Sequence, residues 1–526
     1  MKQLMSKKES IIYFISLIYT IPFFILVCAN MFFSLFQTTY MELYQDTEKP
    51  LYKADSPVLL LTISGILLLI YYFFLIRKEI SPKFCVLLEK ISLAWTIFLC
   101  LSIIFLFRVN VSCDSQALSE IAIAFLGGDY SSLTGDGYLV HYPHQLGMIG
   151  YLQLIYHIFG IENFTLLQLI NVGAIFCSVY YLHRITEELF HDYKLQATLS
   201  FLCIGLLPLY LYSTFIYGDI PGLGFAVPAI YYFIRYYNTD HKKYLFPTVL
   251  LMTLAVVFKS NNMVLLVAFV LLLVLKFIHK PQFVTLAFAV LLLIGPSLVN
   301  GCVNAYYSHV SGISEMPSGI PKVAWIAMGL QENEYIENGW YNAYNWNVYT
   351  QNNYDSKQTT AVCVDSIKES LSSFIESPMS GLSFFYKKFI SQWNDPGYQA
   401  QITNEWYSRH RNDHSPLALY LIYGNGRLLL EGIMNLYHFL VLLGSSVFAL
   451  YHLRERKVQN TLLSLCVFGG YLFHLIWEAG GRYGLGYFVL CVPMAAWGLT
   501  KLTTLISNFI VNRKTNIKEG IEKHGK

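Results

Sequence analysis

Charge is what this sequence has least of: only 13% of its 526 residues are Asp, Glu, Lys or Arg, against about 25% in an ordinary soluble domain. That excludes a water-soluble globular enzyme as the whole of the chain. The net charge is +3, and no basic block is dense enough to suggest nucleic acid binding. The ten cysteines contain no CxxC pair and form no close Cys/His cluster, which speaks against zinc ribbons and thioredoxin-like redox chemistry. P-loop and dinucleotide fingerprints are missing, so direct use of a nucleotide is not indicated. No internal repeat and no low-complexity tract is present.

What is abundant is apolar surface: 55% of residues are hydrophobic, 16% aromatic, and the mean hydropathy is +0.46. Runs long enough to cross a bilayer fall at 11-36, 57-76, 87-107, 164-183, 195-216, 220-236, 244-258, 261-278, 282-300, 429-451, 460-477 and 484-508. About twelve spans follow, and with them an all-α polytopic membrane protein. The first run follows Lys2, Lys7 and Lys8, but it is too long for a signal peptide and lacks a small-residue cleavage site; it reads as a retained span. Lys and Arg gather in alternate short turns: Arg77, Lys78 and Lys83; Arg184 and Lys194; Arg235, Lys242 and Lys243; Lys276 and Lys280; Arg454, Arg456 and Lys457. The opposite turns hold Glu42, Asp46, Glu48 and Asp55. The positive-inside rule then puts both termini in the cytoplasm.

Two long segments face outside under this assignment. The first, 109-163, contains an apolar section from Gly147 to Gly160 suited to a short helix along the membrane surface. The second, 301-428, is rich in Asn, Tyr, Trp and Ser and is too long for a connector, so it reads as a small mixed domain. The expected divisions are 1-86, two N-terminal spans; 87-300, a membrane core with its outer loop; 301-428, the extracytoplasmic domain; 429-508, the last spans; and 509-526, a basic cytoplasmic tail. Cys302 and Cys363 both fall in the second outer segment and are placed to form a disulfide.

Titratable groups cluster at the outer ends of the spans. Asp114 opens the first outer loop within Ser112-Cys-Asp-Ser-Gln, where it reads either as a general base or as the N-cap of the amphipathic run Ala117 to Leu126. The bend His141-Tyr142-Pro-His144-Gln145 offers imidazoles that bind phosphate as cations or relay a proton, or else serve as interfacial anchors. Asp219 lies in the tight turn Tyr217-Gly-Asp-Ile-Pro221, and Lys259 and Asn261 lie in Lys259-Ser-Asn-Asn262. Glu478 and Arg482 flank Ala-Gly-Gly before the last span, where ionisable groups at membrane depth are functional by default or pair with each other. Trp340-Tyr-Asn-Ala-Tyr-Asn-Trp346 combines rings and amides of the kind that bind sugars, and equally of the kind that pack a loop. His141 and His144 have no third ligand nearby, so a zinc site is not expected.

An early Asp114 in an outer loop, the Tyr142-Pro-His-Gln-Leu-Gly147 bend leading into a surface helix, many spans and a late Glu478-x-x-x-Arg482-Tyr483 turn together resemble the GT-C superfamily. This class of membrane glycosyltransferases includes protein O-mannosyltransferases and bacterial aminoarabinose lipid A transferases. The resemblance covers about 87-300 and 429-508 and is one of layout. It implies a polyprenyl-phosphate sugar donor, transfer outside the cytoplasm and Asp114 as catalytic base or acceptor-orienting group. Two features depart from the family pattern: spans 11-36 and 57-76 precede the loop, and Asp114 has no acidic neighbour.

The expected activity is transfer of a sugar from a polyprenyl phosphate to a cell-envelope glycan, polymer or lipid. Asp114 would be the base, Tyr142, His144, Gln145, Asp219, Asn261 and Glu478 substrate-binding groups, and Lys259, Arg482 or His144 the holder of the leaving phosphate. His141 belongs to the same expected set. No cofactor is required by the sequence; a divalent metal, Mg or Mn, at Asp114 is the one candidate. Two alternatives remain: an O-antigen-type polymerase or ligase using Arg409, Arg411 and Arg427, and a lipid-linked oligosaccharide flippase.

Overall fold

The computed structural model describes residues 7–44, 47–77, 79–409, 411–453 and 461–524. Asp46, Lys2, Lys78 and the basic turn at Arg454, Arg456 and Lys457 lie outside them.

Nearly everything described is helical, as expected of a chain whose backbone must satisfy its own hydrogen bonds in lipid. Among the described residues eight helices are long and apolar enough to cross a membrane, or nine if the bent pair Tyr193–Ile204 and Leu207–Thr214 counts as one span. All twelve apolar runs are helices, yet three fall short of a span for separate reasons. Leu245–Phe258 has only 14 residues and Leu462–Ile476 only 15. Asp219–Thr239 is long enough, but Pro221, Gly222, Gly224, Pro228 and Arg235 dilute its hydropathy. Its burial supplies the explanation: it is a core helix walled by protein, so it needs no lipid-facing stripe.

The closest packing runs between Asn425–His452 and Gly481–His524. A Cβ at Gly498 would stand 1.8 Å from the carbonyl oxygen of Gly444, so only glycine permits this approach. The N-terminal helix Lys7–Phe36 lies against Asn425–His452 and Leu462–Ile476, on the C-terminal part of the bundle.

The segments expected to face outside differ from expectation in two ways. Residues 301–428 are helical and not mixed: Val323–Gly329, Tyr344–Gln351, Ser356–Glu376, Pro378–Trp393, Ala400–Ser408 and Pro416–Ile422. The described sheet is instead an antiparallel hairpin, β1 Gln37–Tyr44 and β2 Thr47–Ala54, in the short acidic connection. Thr, Tyr and Leu at alternate positions favour strands there, and Pro50 is tolerated because each strand has a free edge. Cys302 and Cys363 are both free; the first is exposed and the second is buried beside Val348 and Ala324.

Candidate functional site

Four chain segments meet at one end of the bundle. The helix Pro82–Phe107 stops at Arg108, whose left-handed backbone (φ 48°) turns the chain outward. Ser112 then caps the helix Cys113–Leu126. Asp114 is therefore not the N-cap; it sits in the first turn, where the helix dipole favours a carboxylate. It makes no hydrogen bond or ion pair among the described residues, and its charge is felt by Glu48, Tyr217, Glu478 and Arg482.

The second and third segments lock together through glycine. A Cβ at Gly218 would stand 1.9 Å from the Phe258 carbonyl oxygen, so the helix Asp219–Thr239 starts directly against the 259 turn. Asp219 in its first turn consequently pairs with Lys259 at 2.9 Å, both side chains nearly buried. Burial pushes the Lys259 ammonium down from its usual range, and Asp219 pulls it back up. Asn262 donates to the Ala255 carbonyl at 2.8 Å, closing the preceding helix, while Asn261 faces the groove.

Arg482 arrives from the fourth segment, the first turn of Gly481–His524. Its guanidinium lies over the Tyr217 ring (5.6 Å) and the Tyr483 ring (5.2 Å) and pairs with no carboxylate among the described residues. The Lys259 ammonium shares both rings, at 5.0 and 5.1 Å. Glu478 does not pair with Arg482: its Oε1 accepts from the Tyr483 hydroxyl at 3.0 Å, so the tyrosine stands between them. Burial pushes the Glu478 carboxyl up to about 7 against the pull of Arg482.

These groups head a groove of about 590 Å³, counting its open mouth. Asp219, Lys259, Asn261, Arg482 and Tyr483 form its polar end, and Leu223, Val227, Ile230, Leu265, Leu485 and Leu490 its apolar walls. A cationic head on an apolar trough is the shape of an amphiphile with an anionic end.

The His-rich bend splits. Gln145 donates to the Tyr217 hydroxyl, joining the bend to the groove. Tyr142 packs on Trp325 at 6.2 Å and is felt electrostatically by Asp114 and Glu478. His144 opens to solvent on one side, but the protein mass around it, with Lys259 and Lys322, pushes its imidazole down to about 4. Each of these influences favours the neutral imidazole over the cation. His141 turns elsewhere: fully buried, it lies 3.2 Å from the Gly137 carbonyl and 3.1 Å from the Thr350 hydroxyl and stacks on Trp346 at 3.3 Å. That places it in the packing of the 301–428 segment and outside the groove.

Residues the sequence reading passed over complete the polar end. Tyr217 and Tyr483 carry no charge pattern to mark them. Glu48 comes from the hairpin and Gln399 from the Asp395-Pro-Gly turn, whose turn chemistry was visible but whose destination was not. Ala479 is tied to the 301–428 segment by its N–H to the Gly339 carbonyl at 2.8 Å. The three arginines Arg409, Arg411 and Arg427 form ion pairs with Glu405, Asp413 and Glu405 with Glu431 respectively.

A polytopic helical protein with an apolar groove that ends in two cations has the architecture of a membrane protein with a site for an amphiphile. Residues 148–299, under a third of the chain, match the family model described as dolichyl-phosphate-mannose-protein mannosyltransferase, and with the membrane helices this match supports a membrane glycosyltransferase of the GT-C type. No curated protein sequence matches the chain.

Proposed function

We propose that the protein transfers a sugar from a polyprenyl-phosphate donor to a cell-envelope glycan, polymer or lipid hydroxyl on the extracytoplasmic side of the cell membrane, with both termini in the cytoplasm. The observation that carries this reading is the groove: its apolar walls suit a prenyl chain and its Lys259 and Arg482 end suits the phosphate. Asp114, unpaired and close enough to influence Arg482, takes the proton of the acceptor hydroxyl. The acceptor oxygen bonds to the anomeric carbon as the bond from that carbon to the phosphate oxygen breaks. The electron pair leaves on the polyprenyl phosphate, where Arg482, and Lys259 less freely because Asp219 already holds it, stabilise the added charge.

A divalent metal has a poor donor set here. Among the described residues no three His, Cys, Asp or Glu side chains gather as a metal site, so no step is assigned to one. The polymerase or ligase reading is weakened because its arginines are already neutralised by Glu405, Glu431 and Asp413.

Asp114→Asn is expected to lower transfer by about 10²- to 10⁴-fold, the range for losing a general base, with expression and thermal stability retained. The measurement is sugar transfer in detergent from a polyprenyl-phosphate sugar to envelope extract. Full activity in that variant removes Asp114 from the mechanism, and absence of transfer by the wild type in detergent favours the flippase.

A further inference from the structure

Glu48 is the second residue of β2 and sits opposite Leu43 in the hairpin. Its carboxylate accepts from the Gln399 carboxamide N–H, and the oxygen of that same carboxamide accepts the backbone N–H of Arg482 at 2.7 Å. A carboxamide has one donating and one accepting end, so the two bonds fix its orientation. The backbone of Gln399 is fixed as well: its φ is +64°, and its N–H donates to the buried Asp395 carboxylate at 2.6 Å.

The hairpin that delivers Glu48 is anchored along its length. Thr39 donates through its N–H to the Asn394 carbonyl (3.1 Å) and through its hydroxyl to the Ile390 carbonyl (2.9 Å). Arg427 donates to the Met41 carbonyl at 2.7 Å, and Met41 packs against Trp340, Ile402 and Ala479. The hairpin thus reaches the 479–482 turn from two sides, by apolar packing and through the Glu48 carboxylate. Burial pushes the Glu48 carboxyl up and the Arg482 charge pulls it down, which places the two groups within each other's field.

We propose that Glu48 is a positioning residue for the transfer reaction: through Gln399 it holds the first turn of Gly481–His524 so that the Arg482 guanidinium stays between Tyr217 and Tyr483, facing the donor phosphate. The inference rests on the reading of Arg482 as the phosphate holder. It also gives the two spans that precede the GT-C-like layout a purpose, since they flank the hairpin that carries Glu48.

The direction of the effect separates this role from simple electrostatics. A carboxylate near a phosphate repels it, so removal of charge alone tightens phosphate binding; removal of a support loosens it. Farnesyl phosphate, a short prenyl phosphate without a sugar, is titrated against the full chain in detergent, beside a thermal unfolding measurement on each variant.

Glu48→Gln keeps an acceptor for Gln399 and loses the charge, and is expected to bind as the wild type does or slightly tighter. Glu48→Ala and Gln399→Ala each break the relay and are expected to bind about 3- to 10-fold more weakly, the worth of one hydrogen bond. Their double variant is expected to be no weaker than either single, because both remove one linked unit. Unchanged or tighter binding in Glu48→Ala, or effects that multiply in the double variant, would overturn the proposal. Where Glu48→Ala does not fold, Gln399→Ala carries the test alone, since it leaves the hairpin's backbone and apolar anchors intact. A wild type that does not bind, or an Arg482→Ala variant that binds equally well, defeats the phosphate reading itself; normal loss in Arg482→Ala with no loss in Gln399→Ala defeats only the role of Glu48.

Discussion

The groove has two sides of different origin. Asp219, Lys259 and Asn261, with the apolar walls from Ile220 to Leu265, lie within the 148–299 segment that matches the mannosyltransferase model. Asp114, Glu478 and Arg482, with the supporting Glu48 and Gln399, lie outside it. Inside the matched segment the charges are satisfied, Lys259 by Asp219. Outside it they are held open: Asp114 has no described partner, and Arg482 rests on tyrosine rings. One side braces its charge internally, and the other leaves its charge without an ionic partner.

Removal of a satisfied charge tests that contrast most severely. Lys259→Met leaves the Asp219 carboxylate nearly buried without its cation, and the expected cost is about 3–5 kcal/mol of stability. The Asp219→Asn, Lys259→Met pair removes both charges and is expected to recover most of that loss in thermal or denaturant unfolding. Should the single variant unfold as the wild type does, the pair is not the internal brace described here.

Arg482→Ala is expected to behave oppositely: little loss of stability, because no ion pair is broken, and about a 10²- to 10³-fold loss in kcat/KM, the scale for one group that stabilises a developing anion. Kinetics with a polyprenyl-phosphate sugar donor measure it. A variant that loses stability and keeps its rate would place Arg482 with the braced side of the groove.

The two sides were also unequally legible in the sequence. Every apolar run is a helix because hydropathy alone dictates it, although Asp219–Thr239, Leu245–Phe258 and Leu462–Ile476 are too polar or too short to count as spans. The turns at 217–222 and 259–262 stood out as charge between apolar runs, and glycine packing then forces them together. Arg482 stood out for the same reason. Glu48 and Gln399 did not, since their meeting depends on tertiary contacts across 351 positions of chain, which no local pattern encodes. The helical character of 301–428 was hidden by its Asn, Tyr and Ser content, whose low helix propensity is overridden by packing of Phe374 on Phe384 and of Trp393 on Tyr471.

The smallest effect concerns protonation on the open side. Glu478 has an ordinary carboxyl value of 4.5 that burial raises to about 7 in the folded protein. The folded state therefore binds a proton that the unfolded state has already released between those values. The contribution of Glu478 to stability is expected to fall as pH rises from about 4.5 to about 7 and to level off above, because a raised carboxyl value favours the folded state only while the group stays protonated; His144, lowered to about 4, acts with the opposite sign over much of the same interval. Glu478→Gln keeps an oxygen for the Tyr483 hydroxyl and cannot ionise, so its melting temperature relative to that of the wild type is expected to rise over that interval. The slope does not vanish in the variant, since Asp395, which burial also raises to about 7, contributes with the same sign. Identical pH profiles for wild type and Glu478→Gln would show that Glu478 is ionised in the folded protein at all these values. The open side would then hold a second permanent carboxylate facing Arg482, and its cation would be half satisfied like that of the matched segment.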